Sequence, residues 1–198
     1  MQLHTVARTK DFDENEVLKK AVSLFWDKGY NGTSMQDLVD GLGISRSSLY
    51  DTFGDKHQLY LKALDNYQQD YGQQLCTLIK EAPDARAAIR SLLELIARDL
   101  QADAQRKGCF VVNAGIELGN HDAEVNKLIC RNEQTLEDAF LKALQKGQEK
   151  NEINRDKDAR ALARFLSNTV KGMQVSGRGS TEPQFFKDII DMALAVLD

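Results

Sequence analysis

Arg46 stands in a run of small hydroxyl residues, Ser45-Arg46-Ser47-Ser48. A guanidinium can bond both acceptors of a guanine edge at once, or it can clasp a phosphate. Either use needs small neighbours that let the backbone come close, and the serines supply that, although Ser45 equally suits a helix cap. Lys56 falls near a predicted helix start, where a cation is unfavourable unless an anion lies close by. The chemistry these residue types favour is recognition of a nucleic acid. A second set, Tyr67, Tyr71, Phe110, Asn113, Glu117 and Met173, could line a ligand cavity between the middle helices. Asn113 and Glu117 lie one turn apart in an otherwise apolar stretch and would give such a pocket its polar contacts. The same residues fit a packed core with Glu117 at its rim.

Catalytic and metal chemistry find little to build on. Cys76, Cys109 and Cys130 are odd in number and far apart, without metal-ligand spacing, and His4, His57 and His121 add none. Basic residues flank Cys109 (Arg106, Lys107) and Cys130 (Arg131), which leaves open a thiol sensor of oxidants or electrophiles. Buried, inert cysteine is the competing reading. No cofactor and no metal site is expected.

The elements that must position these groups are helices. Thr33 and Ser34 can cap a helix whose apolar residues Met35, Leu38, Val39 and Leu42 recur three and four apart, and Gly43 supplies its stop. Ser45 then opens a second helix carrying Leu49, Tyr50 and Phe53. A helix-turn-helix of this kind presents the N-terminal residues of its second helix to the major groove of DNA. Before it, Asp13 with Glu16 fits a capping box for a helix over about 13–28, striped by Val17, Ala21, Leu24 and Phe25. After it, Asp55 with Gln58 starts a long helix that runs toward Pro83 and can couple the head to the rest of the molecule. Further helices are predicted over about 84–105, 109–118, 122–149, 156–176 and 182–197. No stretch alternates with strand period. The expected fold is all-α, with a DNA-binding head over residues 1–54 and an effector-binding and dimerisation domain over 55–198.

At 198 residues with 42% apolar content, the chain can bury a core of ordinary size. No run approaches the roughly 20 apolar residues of a membrane span. The N-terminal stretch lacks a signal-peptide core, so the expected setting is the cytoplasm. The net charge is −4, and residues 1–60 hold seven Lys/Arg against nine Asp/Glu. A nonspecific DNA binder relies on phosphate neutralisation and would be basic. An acidic head points instead to a site-specific protein whose few contacts are well placed, with a basic arm at Arg8 and Lys10 as a further candidate.

Residues 17–59 resemble the TetR (tetracycline-repressor) family of bacterial regulators. The likeness rests on VLKKAVSLFWDKGYNGTS, Leu38–Val39, GLGISRSSLY across the turn, and Phe53 with Lys56; KGCFVVNAGIEL looks like a stretch seen in a subset of the family. The resemblance implies a homodimer that binds a palindromic operator in double-stranded DNA, usually as a repressor released by a small-molecule effector. It places Thr33 at a phosphate-contacting position and Ser45, Arg46, Ser47 and Ser48 at the start of the recognition helix. Tyr50 matches an aromatic that contacts phosphate or base, and Lys56 a phosphate ligand, so that with Ser34 these form the DNA-facing set. Asp51 departs from the pattern; facing the groove it could only accept from a cytosine amino group, and facing away it is a solvated helix residue.

The reading is therefore a ligand-responsive regulator and not an enzyme. Broad apolar faces on the last two helices would pair across a two-fold axis. The rival readings are a dimeric helical interaction module that does not bind DNA, and a thiol-based sensor.

Overall fold

The computed structural model describes residues 12–198, so Arg8, Lys10 and His4 lie outside the described residues, as does the side chain of Cys76. Nine helices are present among the described residues: α1 (Glu14–Lys28), α2 (Met35–Leu42), α3 (Arg46–Phe53), α4 (Lys56–Glu81), α5 (Ala85–Ala102), α6 (Phe110–Leu118), α7 (Ala123–Glu149), α8 (Ala159–Ser176) and α9 (Pro183–Ala195). The all-α expectation holds. No described helix is long and apolar enough to cross a membrane.

The helices begin where a side chain can take up free amides. Asp13 accepts from the Asn15 amide at 2.8 Å, Ser45 from that of Ser48 at 3.1 Å, and Asp84 from that of Ala87 at 2.7 Å. Asp122 caps α7 in the same way, accepting from Glu124 and Val125, both at 3.0 Å. Glu16 does not complete the capping box at Asp13; its carboxylate bonds Lys19 at 2.9 Å instead. The box is formed one helix later, where Ser34 accepts from the Asp37 amide and Asp37 accepts from that of Ser34. Gly43 ends α2 at φ 70° and ψ 28°, a left-handed conformation that costs a residue with a Cβ about 1 kcal/mol.

The chain divides into a compact unit that ends at Ala63 and a second, Leu64–Asp198, with α4 contributing to both. In the first, Val17, Ala21 and Phe25 of α1 are buried together with Leu38, Leu42, Leu49 and Phe53. Tyr60 of α4 closes this core, its ring edge-on to Phe25 with centroids 5.0 Å apart. Burying side chains of this size is worth roughly 1.5–3 kcal/mol each, far more than propensity gives eight-residue helices such as α2 and α3.

The second unit has its own core, built from Ile89, Leu92 and Leu93 of α5, Phe140 and Leu144 of α7, Leu166 and Val170 of α8, and Phe186 and Ile190 of α9. Met173 belongs to this core at 1% exposure. The apolar stripe of α9 is thus used within the chain, against α5 and α8. What the last two helices leave outside is Phe165 and Val175 on α8 and Met192 on α9.

Candidate nucleic-acid interface and buried cavity

In the head, α3 is held by one face and offers the other. Leu49 and Phe53 anchor it in the core, while Ser45, Arg46, Ser47, Tyr50 and Asp51 are exposed and Ser48 is half-buried. The serines form a small knot: Ser45 Oγ lies 2.9 Å from both Ser47 Oγ and Ser48 Oγ and accepts from the Ser48 amide. No acidic residue occupies the first turn of α3. The Arg46 side chain makes no hydrogen bond or ion pair with any other described residue. Its guanidinium is therefore presented beside a helix N-terminus whose amide dipoles also favour an anion. Lys56 opens α4, with its ammonium 4.3 Å from the centre of the Tyr30 ring.

The loop before α2 turns inward. Thr33 is fully buried, and its hydroxyl donates to the Gly29 carbonyl at 2.6 Å. Ser34 gives both its donors to Asp37 Oδ2, the amide at 2.8 Å and the hydroxyl at 2.6 Å. Asp37 also accepts from the Lys28 ammonium. These donors, Lys28 first and Ser34 next, hold its carboxyl well below the usual carboxylate range.

The second unit contains a cavity of about 620 Å³, bordered by α4, α6, α7 and α8. Tyr67 and Tyr71 form one wall, their rings parallel within 2° and their centroids 6.3 Å apart. Val111 and Val112 of α6, Ile129 of α7 and Val170 of α8 supply apolar surface, and Gln73, Asn132 and Gln174 bring amides to the lining. Phe110 stands behind that wall, edge-on to Tyr67 at 5.7 Å. The lining includes four charged residues, which are paired with one another: Arg131 with Asp65, and Lys171 with Glu133 at 2.6 Å. Arg131 also reaches Gln68 Oε1 at 3.4 Å, and Gln68 Nε2 donates to the Leu128 carbonyl at 3.1 Å. Burial pushes both tyrosine hydroxyls up, so they stay protonated donors. It also pushes up the Cys109 thiol in the same wall, against the opposing pull of Val112, Val111 and Tyr67. That disfavours the thiolate a sensor of oxidants or electrophiles needs. Among the described residues, no group of three or more His, Cys, Asp or Glu side chains could hold a metal ion.

Residues 17–63 match the family described as bacterial regulatory proteins, tetR family, and residues 85–191 match the tetracyclin repressor-like C-terminal domain. The HTH-type transcriptional regulator YezE of Bacillus subtilis is 34% identical over 98% of this chain and 100% of its own length. The HTH-type transcriptional repressor ComR of Escherichia coli is 29% identical over 86% of this chain and 82% of its own. A cysteine mutant of the TetR family transcriptional regulator CifR, in complex with 26bp double-strand operator DNA, superposes with a TM-score of 0.87. It shares 25% identity and is matched over 96% of this chain and 100% of that one.

The chain belongs to the TetR family. It is a DNA-binding transcriptional regulator of that family.

Against this TetR frame, the residues singled out from sequence separate into groups. Ser45, Arg46, Ser47, Ser48 and Tyr50 come together at the start and outer face of α3, and the 48% exposure of Tyr50 removes it from the core. Thr33 does not join them, because it has no surface to offer a phosphate. Ser34 could donate to one only by giving up Asp37. Of the cavity residues, Tyr67 and Tyr71 line the space, whereas Phe110 backs it and Met173 lies in the core. Asn113 is tied elsewhere, donating to the Lys107 carbonyl at 2.8 Å and accepting from Arg178 at 3.1 Å. Glu117 is half-buried and outside the lining.

The sequence analysis did not single out Gly72, and it took Arg131 only as the basic neighbour of Cys130. A glycine near the middle of the 26-residue α4 costs about 1 kcal/mol against alanine, a signal that space beside the helix is in use. A Cβ built on Gly72 meets nothing within 4 Å. Arg131 carried no comparable signal, since its partner lies 66 positions away.

Proposed function

We propose that this TetR regulator binds a palindromic operator as a homodimer, represses the genes behind it, and is released when a small molecule fills the cavity. The observation that carries the proposal is Arg46, exposed and without a protein partner at the serine-held start of α3. In the major groove its fork would meet the O6 and N7 of a guanine, with Ser47 and Tyr50 toward phosphate or base and Lys56 toward phosphate. Two heads related by a two-fold axis would read half-sites about 34–36 Å apart. Phe165 and Val175 on α8 and Met192 on α9 support a dimer surface at that end of the chain. The printed descriptions of ComR as a repressor and of CifR with operator DNA support the reading, and ligand response and dimerisation are typical of the family.

Release would follow from population shift, the effector favouring a conformation in which the heads no longer fit successive grooves. α4 carries Lys56 at one end and Tyr67 and Tyr71 further along, which makes it the element to transmit the change. We read the chain as a regulator without catalysis, acting in the cytoplasm without a cofactor.

The test is binding to a palindrome selected from the promoter region of its own gene, followed by fluorescence anisotropy at 50 and 200 mM salt. Two chains per duplex and an affinity that falls steeply with salt are expected. Equal affinity for every duplex tried, or one chain per site, overturns the proposal.

A further inference from the structure

Resting on the reading of the cavity as the effector site, we infer that its ligand is a neutral, largely apolar molecule carrying one hydrogen-bond acceptor, such as a ketone or ester oxygen, that meets the Tyr71 hydroxyl. Three features of the cavity lead there. Its lining charges cancel, two acids and two bases, and each is already paired. A charged ligand would have to compete with one of these pairs or enter the apolar part of the cavity with its own charge desolvated and unmatched, and the second is costly. The walls are otherwise mostly the tyrosine rings and the apolar side chains of Leu75, Val111, Val112, Ile129 and Val170, which reward apolar area, with the amides of Gln73, Asn132 and Gln174 among them. The Tyr71 hydroxyl makes no hydrogen bond to any other described residue, although the ring lies stacked on Tyr67.

That hydroxyl is a polar group in the aromatic wall that a ligand can satisfy. Tyr71 is half-buried, and this burial disfavours loss of its proton, so across the physiological range it donates and calls for an acceptor. The flat body of such a ligand would lie along the tyrosine faces. Gly72, one position on, leaves room beside them that any larger residue would take.

The test uses the full chain without DNA. The neutral dye N-phenyl-1-naphthylamine is bound and then displaced by four compounds that share one body: 2-acetylnaphthalene, 2-ethylnaphthalene, 2-naphthoate and 2-naphthylmethylammonium. We expect 2-acetylnaphthalene to compete at concentrations more than about tenfold below either charged compound. It should also compete about three- to tenfold below 2-ethylnaphthalene, the range of one neutral hydrogen bond. Tyr71→Phe, which keeps the ring, should abolish the acetyl-over-ethyl advantage, each compound being measured against the variant's own dye affinity. Gly72→Leu, which adds a helix-favouring side chain in open space, should weaken dye and competitors alike with its circular dichroism unaltered.

Stronger competition by the anion or the cation overturns the inference, as does an acetyl advantage that survives Tyr71→Phe. So does undiminished dye binding in Gly72→Leu, or no binding of the dye at all. None of these outcomes touches operator recognition. Conversely, a compound that binds as expected yet leaves the operator complex intact removes only the effector role of the cavity.

Discussion

The Lys28 ammonium donates to the Asp37 carboxylate, tying the last turn of α1 to the first turn of α2 through the residue that also closes the capping box on Ser34. This gives the head a titrating tie. The Asp37 carboxyl is held below the usual carboxylate range in the folded chain, so its stabilising contribution is complete above that range. The contribution is lost as pH falls below it toward the depressed folded value. Asp37→Asn should therefore lower the melting temperature by a constant amount between pH 6 and 8, and the gap to the parent should narrow below about pH 4. Thermal melts of the two proteins across that range check it; a gap that widens in acid contradicts the assignment.

Thr33 separates what the fold requires from what the family resemblance implies. Thr33→Val keeps the shape and removes the hydroxyl that donates to Gly29, which should cost about 1 kcal/mol in urea unfolding. Because the side chain is fully buried, operator affinity per folded molecule should not change. A loss of affinity at full stability would place Thr33 at the DNA after all.

Arg46→Ala should weaken operator binding by about 1–3 kcal/mol and relax preference at a single base position in each half-site. Uniform weakening on every sequence would mark a phosphate contact instead. Lys56→Ala should reduce the slope of log affinity against log salt by about 1. The two readouts, a base-substitution panel and a salt titration, distinguish the two roles.

The dimer surface can be tested at Phe165, which is 45% exposed in the single chain. Phe165→Glu should give folded monomers, read as mass by light scattering and helicity by circular dichroism. Ile190→Glu should not, because Ile190 is 5% exposed within the core and an unpaired carboxylate there breaks the fold. Ile190 looks like an interface residue only until α5 is seen covering it.

That contrast shows where sequence reading stops. Helix positions follow from local chemistry, and so the starts at Asp13, Ser45 and Asp122 and the stop at Gly43 were all legible. Periodicity tells which residues share a face of one helix, but not what lies opposite that face. Met173 and Tyr71 belong to equally regular stripes, yet one meets a packed core and the other a cavity. Asn113 and Glu117 share a face of α6 as their spacing required, and it is not the face that borders the cavity. Ser34 was legible as a cap for α2; the inward turn of Thr33 was not, because it depends on the return of the loop to Gly29.

Arg46 stands unopposed in a head that carries more acids than bases. Such a head is only weakly drawn to arbitrary stretches of chromosome, so few molecules are sequestered away from the cognate promoter. A small number of copies per cell would then suffice to keep that promoter occupied, and modest changes in their number would register in its output.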